Sequence, residues 1–353
     1  MFPKRLINQV CVIVILSCVY TSFYFFIALH ISHSSHDKVT RRLKLQPLGP
    51  QPIYYNNSNF LSGKRFVAND LGYIINQRDI CRTRDVFLLT IVTSQNKNIA
   101  ERTAIRRTWG NTTLENDKGV ATVFLLAKSH DQELMNEIQQ EANAFRDILL
   151  FDFTDDYLNL TLKTIHAFRW AVDYCPRVSY ILKTDDDVFV NYDSLMRVLI
   201  SKPRTKLALG QVSQNSTVIR SPMSKWNTQF DSYPDPVYPP YLVGTGYVLS
   251  RDVVEKVRDI APSLIYLNWE DVFVGICLRK IGVDVVNDTR FGHDWSIYSD
   301  PDRCKLRWLF TSHHKAPSHQ LFAWKMLQYA QQPKRILLYP CVESGYRKTG
   351  RML

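Results

Sequence analysis

The chain is 353 residues long, 45% hydrophobic, and carries 44 Lys and Arg against 33 Asp and Glu, a formal net charge of +11. That length suffices for one large domain or two small ones, and the basic balance suits nucleic acid, anionic lipid or an anionic small substrate. No zinc finger, RNA-binding signature or long Lys/Arg run is present, and the seven cysteines form no CxxC pair, which sets nucleic acid and a structural zinc site aside.

The first element is an uncharged run of 20 residues at 10–29, VCVIVILSCVYTSFYFFIAL. At about 1.5 Å per residue it matches a hydrocarbon core of about 30 Å. It ends in bulky Phe25, Phe26, Ile27 and Leu29, not in the small residues of a cleavage site. Residues 1–9 therefore read as a cytoplasmic tail and 10–29 as a transmembrane signal anchor. Lys38, Arg41, Arg42 and Lys44 follow the run and by themselves favour the opposite orientation, but large domains cross largely regardless of that bias. Residues 30–80, with Pro47, Pro50 and Pro52 close together and no sustained apolar period, read as a stem. Homodimerisation through it is left open. Five Asn-x-Ser/Thr triplets, at Asn56, Asn111, Asn159, Asn215 and Asn287, all follow the membrane run, as a glycosylated lumenal body requires.

The body, 81–353, alternates strands and helices. The apolar runs at 86–93 and 120–127 predict strands buried on both faces. Helices are predicted over 99–109, 132–145 and 160–174, the last with Leu162, Ile165, Phe168, Ala171 and Val172 at helical spacing. Tyr180 to Leu182 is a strand; 254–260, 272–281 and 320–329 are further helices. This order predicts an α/β fold, a mainly parallel sheet with helices on both sides, in one domain of about 260 residues. Ligands bind such sheets at the carboxyl ends of the strands.

One strand end is distinctive: KTDDDVFV at 183–190 places Asp185, Asp186 and Asp187 side by side. Alternation along a strand turns Asp185 and Asp187 the same way and Asp186 the other. Two hard oxygen donors there suit a divalent cation that carries a diphosphate; an acidic turn capping the next helix is the plainer alternative. Arg102 and Arg106 lie four apart on one helical face, just after Thr93 and Ser94. This group can bind a donor phosphate or clamp a carboxylate. Trp109 packs beside a base or in the core. Gly244 and Gly246 stand between Tyr241 and Tyr247 and suit either a sugar pocket or a tight turn. Glu270 and Asp271 open an apolar helix, where acids are ordinary caps.

Taken together, RTAIRRTWG at 102–110, YLNLTLKT at 157–164, KTDDDVFV at 183–190, YPPYLVGTGYVLS at 238–250 and EDVFVGICLRKIG at 270–282 resemble the motifs of the Golgi β1,3-glycosyltransferases, in their order and over about 81–324. The resemblance implies a GT-A type fold and a single-pass type II Golgi membrane protein with a lumenal catalytic domain. It also implies inverting transfer from a UDP-sugar with Mn2+. On the family's pattern Asp185 and Asp187 bind donor and metal, Asp186 faces the loop or the sugar, and His313 supplies a further ligand, with His314 as the alternative. Asp271 falls on the base, with Trp269 and Glu270 beside it in the sugar pocket. Lys225-Trp226 and Tyr233-Pro234 match a segment near the acceptor.

Analogy suggests disulfides Cys277–Cys304 and Cys81–Cys175; Leu242 stands where many members have a cysteine. Asn159 carries a glycan or caps the helix after it. Glu270-Asp271-Val272 leans toward UDP-galactose, where N-acetylglucosaminyl members tend to have Asp-Asp-Val. The expected enzyme is thus a β1,3-galactosyltransferase acting on a glycan acceptor of a glycoprotein or glycolipid. UDP-N-acetylglucosamine as donor, or a non-catalytic sugar-binding protein, are the alternatives.

Overall fold

The computed structural model describes residues 72–116, 118–292, 306–313 and 316–330. The tail, the apolar run at 10–29, most of the stem, Asn56, Cys304 and His314 lie outside them. Among the described residues no helix is long and apolar enough to cross a membrane.

The strands are β1 (Tyr73–Ile75), β2 (Val86–Thr93), β3 (Leu114–Glu115), β4 (Lys118–Lys128), β5 (Ile148–Thr154), β6 (Tyr180–Asp185), β7 (Val188–Val190), β8 (Ala208–Ser213), β9 (Tyr241–Ser250), β10 (Val286–Asn287) and β11 (Thr311–His313). The helices are α1 (Ile99–Arg106), α2 (Gln132–Phe145), α3 (Leu160–Tyr174), α4 (Tyr192–Leu199), α5 (Arg251–Ile260), α6 (Glu270–Lys280) and α7 (Pro317–Ala330).

Local chemistry explains several boundaries. Asp131 caps α2 by accepting from the Glu133 and Leu134 N–H groups, and Arg146 ends it in the left-handed region at φ 54°, so the predicted limits are reproduced. In α3 the predicted apolar stripe is buried throughout. Asn159 precedes that helix without capping it; its side-chain amide donates instead to the Thr154 carbonyl at 3.0 Å. All eight residues of β2 are buried. Leu89 and Ile91 face one apolar layer with α3, α5 and α6, while Leu88 and Val92 face the other with α1, α4 and α7. Burial on both faces is what removes the polar alternation from that strand.

The main sheet runs β1-β5-β4-β2-β6-β9-β8-β10, with β3 beside β4. Its centre, β5-β4-β2-β6, is parallel. From there it departs from the mainly parallel expectation: β9 enters antiparallel between β6 and β8. The glycines of the 244–246 segment are therefore strand residues rather than a turn. The reversal places β9 against the carboxyl end of β6, with Thr184 opposite Gly246 and Lys183 opposite Tyr247. A separate ribbon pairs β7 with β11 and sets His313 opposite Val188.

Cys81 and Cys175 form a disulfide. The expected partner of Cys277, Cys304, lies outside the described residues; Cys277 itself is a free thiol, fully buried in α6 among core side chains.

Candidate active site

The sheet brings three carboxylates to one cleft of about 480 Å³, lined by Asp185 and Lys183 from β6, Tyr241 and Gly244 from β9, and Glu270 and Asp271 from the start of α6. Helix α6 reaches β9 because Gly275 lets the chains touch: a Cβ there would lie 2.5 Å from the Tyr241 Cβ. Asp271 Oδ2 accepts from the Gly244 N–H at 3.2 Å, and Oδ1 from the Val272 N–H at 2.9 Å. Burial pushes the Asp271 carboxyl up, and the Val272 N–H, Lys183 and the Gly244 N–H partly offset it. Glu270 is 6% exposed and accepts from the Tyr247 hydroxyl. Burial raises it too, with the Lys183 charge in opposition.

The three aspartates separate by function of place. Asp185 lines the cleft, raised by burial against the pull of Lys183. Asp186 turns inward at 7% exposure, where its carboxylate accepts from Ser94 Oγ at 2.6 Å and Asn98 Nδ2 at 3.0 Å. Burial pushes it up to about 6 despite those two bonds. Its backbone N–H donates to the Thr93 carbonyl, and its own carbonyl accepts from Gln320 Nε2 at 2.6 Å. Asp187 Oδ2 lies 2.8 Å from His313 Nε2. Among the described residues no group of three or more His, Cys, Asp or Glu side chains is arranged around an ion site.

Other expected residues fall elsewhere. Arg102 is 1% exposed and its guanidinium is filled by Glu141, Ser94 Oγ and the Gln95 and Asn96 carbonyls. Arg106 is held by Glu141 and Asp147 between the Phe124 and Phe145 rings. Neither arginine is left to bind a donor phosphate. They clamp carboxylates, and Arg102 reaches the aspartate run only through Ser94. Thr93 and Ser94 are likewise buried behind the aspartates. Trp109 is core, its Nε1–H donating to Gln320. Gly246 backs onto Thr311, where a Cβ would approach Cγ2 to 2.8 Å, and Tyr247 lies beneath the wall at 0% exposure. Tyr241, Gly244, Trp269 and Glu270 line the cleft. Of the triplet asparagines, Asn111, Asn215 and Asn287 are exposed and Asn159 is half-buried.

Sequence reasoning missed one wall feature and reached a second only through the family resemblance. Lys183 is buried in the wall, and Trp226, 51% exposed, stands at the cleft with Tyr157. The Lys225 ammonium lies 4.4 Å from the Trp226 ring centre and 6.0 Å from that of Tyr157. A lysine directly after the apolar Tyr180-Ile181-Leu182 of a buried strand was the available signal for the first. The matching acceptor segment pointed to the second. Tyr233-Pro234 is absent from the lining.

A family profile described as Galactosyltransferase matches residues 100–289, from α1 through β10, and so takes in the aspartates, β9 and α6. This chain belongs to the galactosyltransferase family. It is 39% identical over 257 residues to Beta-1,3-galactosyltransferase 1 of Homo sapiens, covering 71% of this chain and 77% of that protein. To Beta-1,3-galactosyltransferase 5 of Homo sapiens it is 35% identical over 285 residues, covering 80% and 82%. Among solved structures, galactosyltransferase LgtC in complex with donor and acceptor sugar analogs shares 12% identity at a TM-score of 0.35, over 69% of this chain and 94% of that one. In this galactosyltransferase the family span holds all three carboxylates of the cleft, Asp185, Glu270 and Asp271, while His313 comes from beyond it.

Proposed function

We propose that this galactosyltransferase moves galactose from UDP-galactose, with inversion, to the 3-hydroxyl of a terminal N-acetylhexosamine on a glycoprotein or glycolipid. The observation that carries the reading is that Asp185 and Asp271 line one cleft. Asp271 is the base. Ionised, it takes the proton of the acceptor 3-hydroxyl as that oxygen bonds to the anomeric carbon from the face opposite the diphosphate. The bond from that carbon to the diphosphate oxygen breaks, and UDP leaves with the electron pair. Gly244 and Val272 N–H groups fix the carboxylate, so its position does not depend on the substrate.

Asp187 and His313, in contact, and Asp185 nearby present oxygen and imidazole donors that fit Mn2+. The donor set is a pair with a neighbour, so the diphosphate itself would supply further ligands. A divalent cation held there would neutralise charge on the departing diphosphate. On the acceptor side Trp226 and Tyr157 offer aromatic faces to sugar C–H surfaces. The same reading takes residues 10–29 as the anchor of a type II Golgi protein, 30–80 as its stem and 81–353 as its lumenal catalytic domain, on the strength of the apolar run and the Asn-x-Ser/Thr triplets that follow it. The fold it expects is of GT-A type.

The test uses the full-length protein in detergent with Mn2+, offered UDP-galactose, UDP-N-acetylglucosamine and UDP-glucose over a panel of acceptors, with the product linkage read by NMR. A β1,3-linked galactosyl product is expected. Preference for UDP-N-acetylglucosamine refutes the donor, and sugar binding with no product from any donor refutes the transfer.

A further inference from the structure

Lys183 has no task in the reaction as written, yet it is one of the most constrained side chains in the molecule. It lies on β6, two residues before Asp185, and is 4% exposed. Its ammonium donates to Asp185 Oδ1 at 2.8 Å and to the Gly244 carbonyl at 2.9 Å, and it pairs with Glu270 Oε2 at 3.1 Å. An ammonium has three donors, and these three partners come from three elements: β6, β9 and α6. Gly244 is the residue whose N–H holds Asp271 Oδ2. One glycine is thus gripped by Lys183 at its carbonyl and grips the carboxylate at its amide.

Stability is a weak reason for such a lysine. Desolvating an ammonium and two carboxylates offsets most of their attraction, and apolar replacements of buried ion pairs are often neutral or stabilising. Its contacts instead join the aspartate that serves the donor to the helix that carries the base. We propose that Lys183 is a positioning residue for transfer: by holding Gly244 and tying Asp185 to Glu270, it sets Asp271 at a fixed place relative to the donor. This rests on the function proposed above.

The charges around Asp271 make the role measurable. Facing it are Lys183 and Asp185 from β6, Tyr247 from β9, Tyr157 from the turn before α3 and Glu270 beside it on α6. Lys183 is the cation among them, and it pulls the carboxyl down against burial. Misplacing a reacting group by about 1 Å is worth roughly a hundredfold in rate.

The experiment compares full-length wild type, Lys183→Met, Glu270→Gln and the Lys183→Met/Glu270→Gln double variant for kcat, both KM values, the pH profile of kcat/KM and thermal stability. The double variant removes the carboxylate that Lys183→Met alone leaves without its cation, and so guards against a simple failure to fold. Lys183→Met should lose about a hundredfold in kcat while acceptor KM moves less than about threefold, and the acid limb of its profile should move to higher pH. The double variant should remain far slower than Glu270→Gln. A folded double variant as fast as Glu270→Gln, or an acid limb that stays in place, overturns the role of Lys183 alone. A wild type inert toward every donor overturns the functional reading and this proposal with it.

Discussion

Asp271→Asn separates the proposed base from its scaffold. The two side chains have the same shape, so packing is retained. The amide, however, has one acceptor oxygen where the carboxylate has two. Asp271 now accepts from two N–H groups, Gly244 at 3.2 Å and Val272 at 2.9 Å. In the variant one of them must face an NH2 group. One buried donor left unpaired costs about 1–3 kcal/mol, a moderate fall in thermal stability. The rate should fall much further, because an amide cannot take the acceptor proton: general-base catalysis contributes roughly 10²–10⁴-fold, or about 2.7–5.4 kcal/mol in the barrier. Transfer would be followed with radiolabelled UDP-galactose, stability by thermal melting, and donor binding by calorimetry with UDP, which should stay near wild type. Transfer within about threefold of wild type would refute the argument. On the proposed mechanism the ionised carboxylate is the active form in the wild type, and burial raises its pKa. Accordingly kcat/KM should drop as pH falls through a value above the usual carboxylate range, before exposed acids titrate.

Three further outcomes follow from the scaffold. Replacing Cys81 and Cys175 with serine opens a loop spanning a separation of 94 residues, which by chain entropy lowers stability by about 4.7 kcal/mol at 25 °C; a loss under about 1 kcal/mol in urea unfolding would contradict it. Burial raises the Glu141 pKa, but hydrogen bonds and charge from Arg102 and Arg106 outweigh it and leave the carboxyl below its ordinary value. A depressed folded pKa means that this stabilisation is complete above the unfolded pKa and is lost as pH falls through the folded one. Glu141→Gln, which leaves Arg102 without a carboxylate while Arg106 keeps Asp147, should therefore cost about 3–5 kcal/mol at pH 7 and less in acid, and equal unfolding midpoints for variant and wild type at pH 7 would exclude it. Gly275→Ala sets a Cβ 2.5 Å from the Tyr241 Cβ and 3.1 Å from its Cα. Such overpacking costs about 1–3 kcal/mol and displaces the helix that begins with Glu270 and Asp271, so melting temperature and kcat should fall together; no change in either would count against the close packing of α6 on β9.

The sequence by itself determined what local pattern encodes. The strand at 86–93 and the helices at 132–145 and 160–174 have the limits read from the run of apolar and polar residues along the chain, because the preferences behind it act within a few residues of chain. The aspartate run at a strand end was legible for the same reason, and so was the acidic start of α6. Tertiary structure decided everything that depends on a distant partner. Arg102 and Arg106 look the same in sequence whether they hold a phosphate or a carboxylate; Glu141 and Asp147, 35–41 residues away, decide it. His313 reaches Asp187 across 126 residues through the pairing of β11 with β7. The antiparallel entry of β9 turned a glycine segment with two readings into the strand that joins Lys183 to Asp271. A one-dimensional pattern records the period of each element, but the partner of a buried charge is set by which elements pack together, and that is fixed only when the whole core closes.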